Sequence, residues 1–149
     1  MAVTQKKKNS KNKSIKNNIN NSSFKEEITT FFLELIIMIK LFHWNTYSYA
    51  QHGASDKLYA SMNEHMDKFM EVLLGKTYKR LFFKQQKTLK LLNYHSKKEI
   101  IKRLHECKSY LVNLDNNNFL YKMSNSDLFN IRDEILADMN QFLYLLSLK

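Results

Sequence analysis

A chain with no proline and only two glycines, Gly53 and Gly75, holds almost none of the residues that make the tight reversals of a β-sheet. Its long runs of Leu, Met, Lys, Glu and Gln favour helix instead. The 149 residues are therefore expected to form an all-α protein, folded as one unit once an N-terminal tail is set aside.

That tail is marked by charge. The formal net charge is +10, and residues 1–23 hold Lys6, Lys7, Lys8, Lys11, Lys13 and Lys16 without one acid. The remainder of this stretch is mainly Asn, Ser and Gln, with too little apolar surface to offset the entropy of ordering, so 1–23 reads as a disordered basic tail. Such a tail suits either sequence-independent contact with nucleic acid or a solubilising arm. The most apolar stretch, Ile28 to Trp44, is broken by Glu34 and Lys40 and falls short of the roughly 20 apolar residues of a bilayer span, so no membrane role is expected. A lone Cys107 and the lack of a secretory leader point to a reducing, cytoplasmic setting.

Three sites show Ser followed three residues later by an acid, the pattern of a helix N-cap: Ser23/Glu26, Ser96/Glu99 and Ser124/Asp127. After the first, Ile28, Phe32, Leu35, Ile39 and Phe42 recur at three- and four-residue spacing and predict a helix over 24–45. After the second, Ile100, Leu104, Cys107 and Leu111 repeat the pattern, and after the third so do Leu128, Ile131, Ile135, Met139 and Phe142. A further helix over 51–75 has Leu58, Met62, Met66, Phe69 and Leu73 for its core face. Four amphipathic helices imply a bundle. Residues 77–95 could carry a short crossover helix, and Asp115 to Lys122 a connecting loop.

The chemistry concentrates on the second helix. At about 100° per residue, His52, Asp56, Asp67 and Glu71 fall at roughly 0°, 40°, 60° and 100°, along one face. Three carboxylates and an imidazole on one stripe are costly unless solvated, paired or neutralised by a divalent metal. Imidazole and oxygen ligands without thiolate suit iron, manganese or zinc. The Glu-x-x-His pairs of intra-bundle di-iron sites are absent, so a metal site would be assembled from histidines of one subunit and carboxylates of another across a two-fold axis.

The run HWNTYSYAQHGASDKLYASMNEHMDKFMEVLLG resembles the ferroxidase segment of Dps mini-ferritins, and SDLFNIRDEILADMNQFLYLLSLK is similar to their last helix. The resemblance covers about residues 24–149 and implies a ferritin-like antiparallel four-helix bundle with a crossover segment between helices 2 and 3. It implies His43 and His52 as iron ligands from one subunit and Asp67 and Glu71 from its partner, with Asp56 at an acidic position nearby. It also implies Fe(II) oxidation by peroxide or oxygen at a di-iron site, a homo-oligomer of two to twelve copies, and DNA association through the basic tail. Trp44 matches the aromatic that takes oxidising equivalents in the family. The interval from His43 to His52 is shorter than in the bacterial proteins, and the Asn/Lys/Ile bias matches Dps-like proteins of large DNA viruses and phages, which would add the virion as a location.

Each reading has a plainer counterpart. The acidic face could be a solvated stripe beside Lys57 and Lys68, His43 a helix-end residue that caps carbonyls, and Trp44 a packing residue. His65, His95 and His105 are expected to be surface or structural, and Cys107 and most methionines core. A protein of the same fold that only coats or packages DNA, or sits in a virion, would keep the ligand residues as structure. Lys76, Lys79, Arg80, Lys84, Lys87 and Lys90 form a second basic stretch.

Overall fold

A computed structural model describes residues 2–121 and 124–148, with side chains from Phe24 onward. Four long helices carry the fold: α1 (Ala2–Asn45), α2 (Tyr49–Thr77), α3 (Lys97–Val112) and α5 (Ser126–Ser147). A 3-10 turn (Asn113–Asn116) and the one-turn α4 (Asn118–Tyr121) link α3 to α5. The described residues contain no strand, as the scarcity of turn-forming residues required.

The helix starts differ in an instructive way. At α3 the capping box is complete: Ser96 accepts the Glu99 N–H at 3.2 Å, and the Glu99 carboxylate accepts the Ser96 N–H at 3.1 Å. At the third Ser-x-x-acid site the expected box is not made. The helix begins one residue later, with Asn125 at the cap position, because Lys76 holds Asp127 at 2.7 Å and also takes the Ser124 carbonyl. At the first site Ser23 begins nothing, since the α1 backbone already runs from Ala2 and neither proline nor glycine interrupts it. The expectation of a disordered tail, and the roles given to Lys6, Lys7, Lys8, Lys11, Lys13 and Lys16, fall on residues whose side chains lie outside those described.

Contacts fix the direction of each helix. Helix α2 returns antiparallel to α1, with Phe32 edge-to-face on Phe69 at 5.3 Å and Lys40 over the Tyr59 ring at 4.2 Å. Helix α5 runs antiparallel to α2, as His65–Asp138 and Lys76–Asp127, both 2.7 Å, require. The connection from α2 to α3 passes along α1. The Lys25 ammonium donates to the Lys79 carbonyl at 3.0 Å, Lys87 meets Glu26 at 3.0 Å, the Lys90 N–H donates to Glu34 at 3.0 Å, and Asn45 donates to Asn93 at 2.7 Å. Helix α3 then runs opposite to α1 and stacks Tyr110 on Phe31 at 4.2 Å. No short helix forms in this connection: α1 side chains meet its polar groups, and Leu81, Leu89 and Leu92 are only half-buried.

The core lies where the four stripes converge. Ile28, Phe32, Ile39 and Phe42 meet Leu58, Met62, Phe69 and Leu73, closed by Leu104, Cys107 and Leu111 from α3 and Leu128, Ile135 and Met139 from α5. Truncating any one of the large buried aliphatic side chains to Ala costs about 2–5 kcal/mol. Cys107 is packed among these groups; burial pushes its thiol up to about 11, so it behaves as a small apolar residue.

Candidate metal centre at the α1–α2 turn

Helix α1 ends on Phe42-His43-Trp44-Asn45 and α2 opens at Tyr49 after three intervening residues, so His43 and His52 face each other across a short turn. Side chains lace that turn. The Ser48 hydroxyl caps α2 by accepting the Gln51 N–H at 3.4 Å, while the Thr46 hydroxyl donates to the Gln51 amide oxygen at 2.9 Å and accepts the Ser48 N–H at 3.2 Å.

The two imidazoles hold one another. His43 Nδ1 lies 3.1 Å from the His52 carbonyl, and His52 Nδ1 lies 3.0 Å from the His43 carbonyl. A carbonyl oxygen only accepts, so each Nδ1 is the proton-bearing donor of its bond and the proton acceptor of a neutral ring would be Nε2. The rings stack with centroids 3.9 Å apart. Ser55, fully buried below, donates to the Gln51 carbonyl at 2.7 Å and sits 3.3 Å from His43 Nδ1. This is the arrangement in which metal-ligating histidines are held: one nitrogen fixed by a carbonyl, the other free to coordinate. His43 therefore does bond a carbonyl, as the plainer reading had it; the side chain is buried and its Nε2 is turned toward Asp56.

Asp56 joins this end of the molecule. Its Oδ1 lies 3.8 Å from His43 Nε2, beyond a hydrogen bond, with the carboxylate largely in solvent. Asp67 and Glu71 do not join it. They lie fifteen or more residues further along α2, about 22 Å by helical rise. All four α2 residues are exposed on one side of the helix, whereas Leu58, Met62, Phe69 and Leu73 bury the other. Among the described residues, no group of three or more His, Cys, Asp or Glu side chains within one copy is placed to hold a metal ion.

Residues 43–146 match the model of a family described as a family of unknown function, DUF5856. The chain belongs to that family. The match opens on His43 and contains His52, Asp56, Asp67 and Glu71. No curated protein and no solved structure matches the chain. Within the DUF5856 segment the structure also shows polar groups that spacing alone did not reveal.

His65, expected to be surface or structural, bonds Asp138 at 2.7 Å through Nδ1, and its Nε2 lies 3.6 Å from Glu134, which in turn meets Lys68 at 3.7 Å. The signal was an acidic pair at four-residue spacing on α5, but its register against α2 could not be read from the chain. Trp44 is 66% exposed and does not pack into the core; Lys40 lies 5.8 Å from its ring. Of the second basic stretch, Lys76 and Lys87 are engaged with Asp127 and Glu26. None of the described helices is long and apolar enough to cross a membrane.

Proposed function

We propose that this chain is a Dps-like, ferritin-like iron-oxidising protein, in which Fe(II) is the substrate and the reacting site forms between two copies. His43 and His52 of one copy supply imidazole nitrogen, Asp67 and Glu71 of the other supply carboxylate oxygen, and Asp56 lies alongside. The observation that carries this reading is the pair of reciprocal Nδ1–carbonyl bonds, which fixes the two stacked imidazoles through Nδ1 and leaves Nε2 as the nitrogen that would coordinate. A second support is the course of the chain: α1 up, α2 down, a connection returning along α1, α3 down and α5 up, which is the order of a ferritin-like bundle.

The separation of about 22 Å along α2 dictates the assembly. Two copies of α2 lying antiparallel about a two-fold axis near Ala60 bring each histidine pair beside the other copy's Asp67 and Glu71. Ala60 is exposed and small, which permits close approach there. Borderline imidazoles and hard carboxylates together suit ferrous and ferric iron. The reaction balances as two Fe(II) yielding two electrons to one peroxide, which with two protons becomes two waters. The basic tail adds sequence-independent duplex binding, with a slope of log K against log[salt] near −5 if all six lysines meet phosphate, at about −0.9 each.

Fe(II) oxidation by hydrogen peroxide, followed by the absorbance of the ferric product, tests the iron reading. Asp67→Ala with Glu71→Ala is expected to reduce the rate to that of buffer, and an unchanged rate would refute it. In a duplex-DNA gel shift the same double variant should bind as the parent does, and removal of residues 1–23 should abolish the shift. Binding of DNA without any binding of Fe(II) would favour a DNA-packaging protein that keeps the ligand residues as structure.

A further inference from the structure

From Val72 to Lys98 the chain contains no acid and eight lysines and arginines. Most of this stretch is the irregular connection between α2 and α3, and it begins with an unusual residue. Tyr78 caps α2 in the left-handed region, φ 50° and ψ 25°, with its N–H on the Gly75 carbonyl at 3.2 Å. Glycine is the ordinary occupant of that conformation, and a residue with a β-carbon is disfavoured there by about 1–2 kcal/mol. The Tyr78 ring is 95% exposed, and four residues on Phe82 is 74% exposed.

Charge accompanies these rings. Arg80, Lys84 and Lys90 are exposed along the same segment, and Tyr78, Lys79 and Arg80 line an open groove with Leu74, Gly75 and Glu71. Glu71 is the one carboxylate lining that groove and opposes an anion beside it. Lys76 and Lys87 face inward to Asp127 and Glu26, so the outward charge comes from the residues interleaved with the rings.

We infer that residues 78–90 form a binding surface for single-stranded nucleic acid, with bases stacked on Tyr78 and Phe82 and phosphates on Arg80, Lys84 and Lys90. Exposed aromatic rings alternating with cations along one irregular surface segment are what unpaired bases and their phosphates require. Duplex DNA hides its base faces inside its own stack and can use only the cations, so the rings discriminate between the two forms. Tyr78 and Phe82 are at most about 13 Å apart along the chain, the reach of a few nucleotides. The inference requires neither the iron chemistry nor the lysine tail, though Glu71 of the proposed iron site lines the same groove.

The test is fluorescence anisotropy of labelled oligo(dT) and of a labelled mixed-sequence duplex against the full chain. Tyr78→Ala with Phe82→Ala should weaken oligo(dT) binding by about tenfold or more, the loss expected for two stacked bases. Duplex binding should change by less than about twofold, and Tyr78→Phe should retain the oligo(dT) affinity. The loss of oligo(dT) binding in the double alanine variant should persist when the six tail lysines are changed to glutamine. Because both rings stand in solvent, the variants should keep the helical circular dichroism of the parent. Four results would each overturn the inference: no oligo(dT) binding by the parent, no loss in the double alanine variant, equal losses for both nucleic acids, or a smaller oligomer by light scattering in that variant. The last would mean that another subunit covers the rings.

Discussion

The Lys76–Asp127 pair shows how one side chain can serve two helices. Lys76, in the last turn of α2, reaches both carboxylate oxygens of Asp127 at 2.7 Å and the Ser124 carbonyl at 2.7 Å, joining the end of α2 to the start of α5. The bond from Lys76, reinforced by the Leu128 N–H, holds the Asp127 carboxyl below the usual carboxylate range. Glu99 is lowered in the same sense, chiefly by the Ser96 hydroxyl. A carboxyl depressed by folding adds stability above its unfolded value, roughly pH 4, and loses it as pH falls through the folded value. Melting temperature should accordingly fall as pH drops below about 4, and Asp127→Asn should flatten part of that decline; an identical pH profile in the variant would contradict the assignment. At this scale the sequence was most legible where apolar spacing decides: Cys107, Met62 and Met139 are core as expected. It was least legible where a partner decides, because His65 pairs with Asp138, remote in sequence. Trp44, expected to pack, instead stands in solvent at the helix end.

Helices α3 and α5 carry the same kind of start signal with different outcomes. The Ser96 box forms because its two members have no stronger competitor, whereas Asp127 is taken by Lys76 and the cap passes to Asn125, which turns inward and donates to the Leu120 carbonyl. Ser96→Ala should therefore cost about 1 kcal/mol. Ser124→Ala, measured beside it by urea unfolding, should cost less, since it removes no cap. Helix α2 was anticipated at 51–75 and spans Tyr49–Thr77, as Gly53 and Gly75 both lie inside it with ordinary helical backbone. The connection to α3 escaped because its order comes from α1 side chains, not from any periodicity of its own.

In the whole molecule, the sequence displayed the residue types, their common face and their separation along α2, but not the stacking of His43 on His52. That separation gives a decisive test of two-copy assembly. A chain lacking both histidines, His43→Ala with His52→Ala, and a chain lacking both carboxylates, Asp67→Ala with Glu71→Ala, would each lack half of the proposed site. After the two are unfolded and refolded together in equal amounts, statistical pairing should restore about a quarter of the parent rate, because half the dimers are mixed and each has one of two sites intact. A site built within single chains would recover nothing.

The turn of residues 46–48 fixes the span between the two imidazoles as a hinge pin fixes two leaves. Each ring is tied through Nδ1 to the backbone on the far side of the turn, so capture of an ion at the proposed site would have few torsions left to freeze. The same interdependence makes the joint brittle. Deleting Tyr47, whose own side chain touches nothing buried, would unseat both rings in one stroke, whereas substituting it should leave them in register.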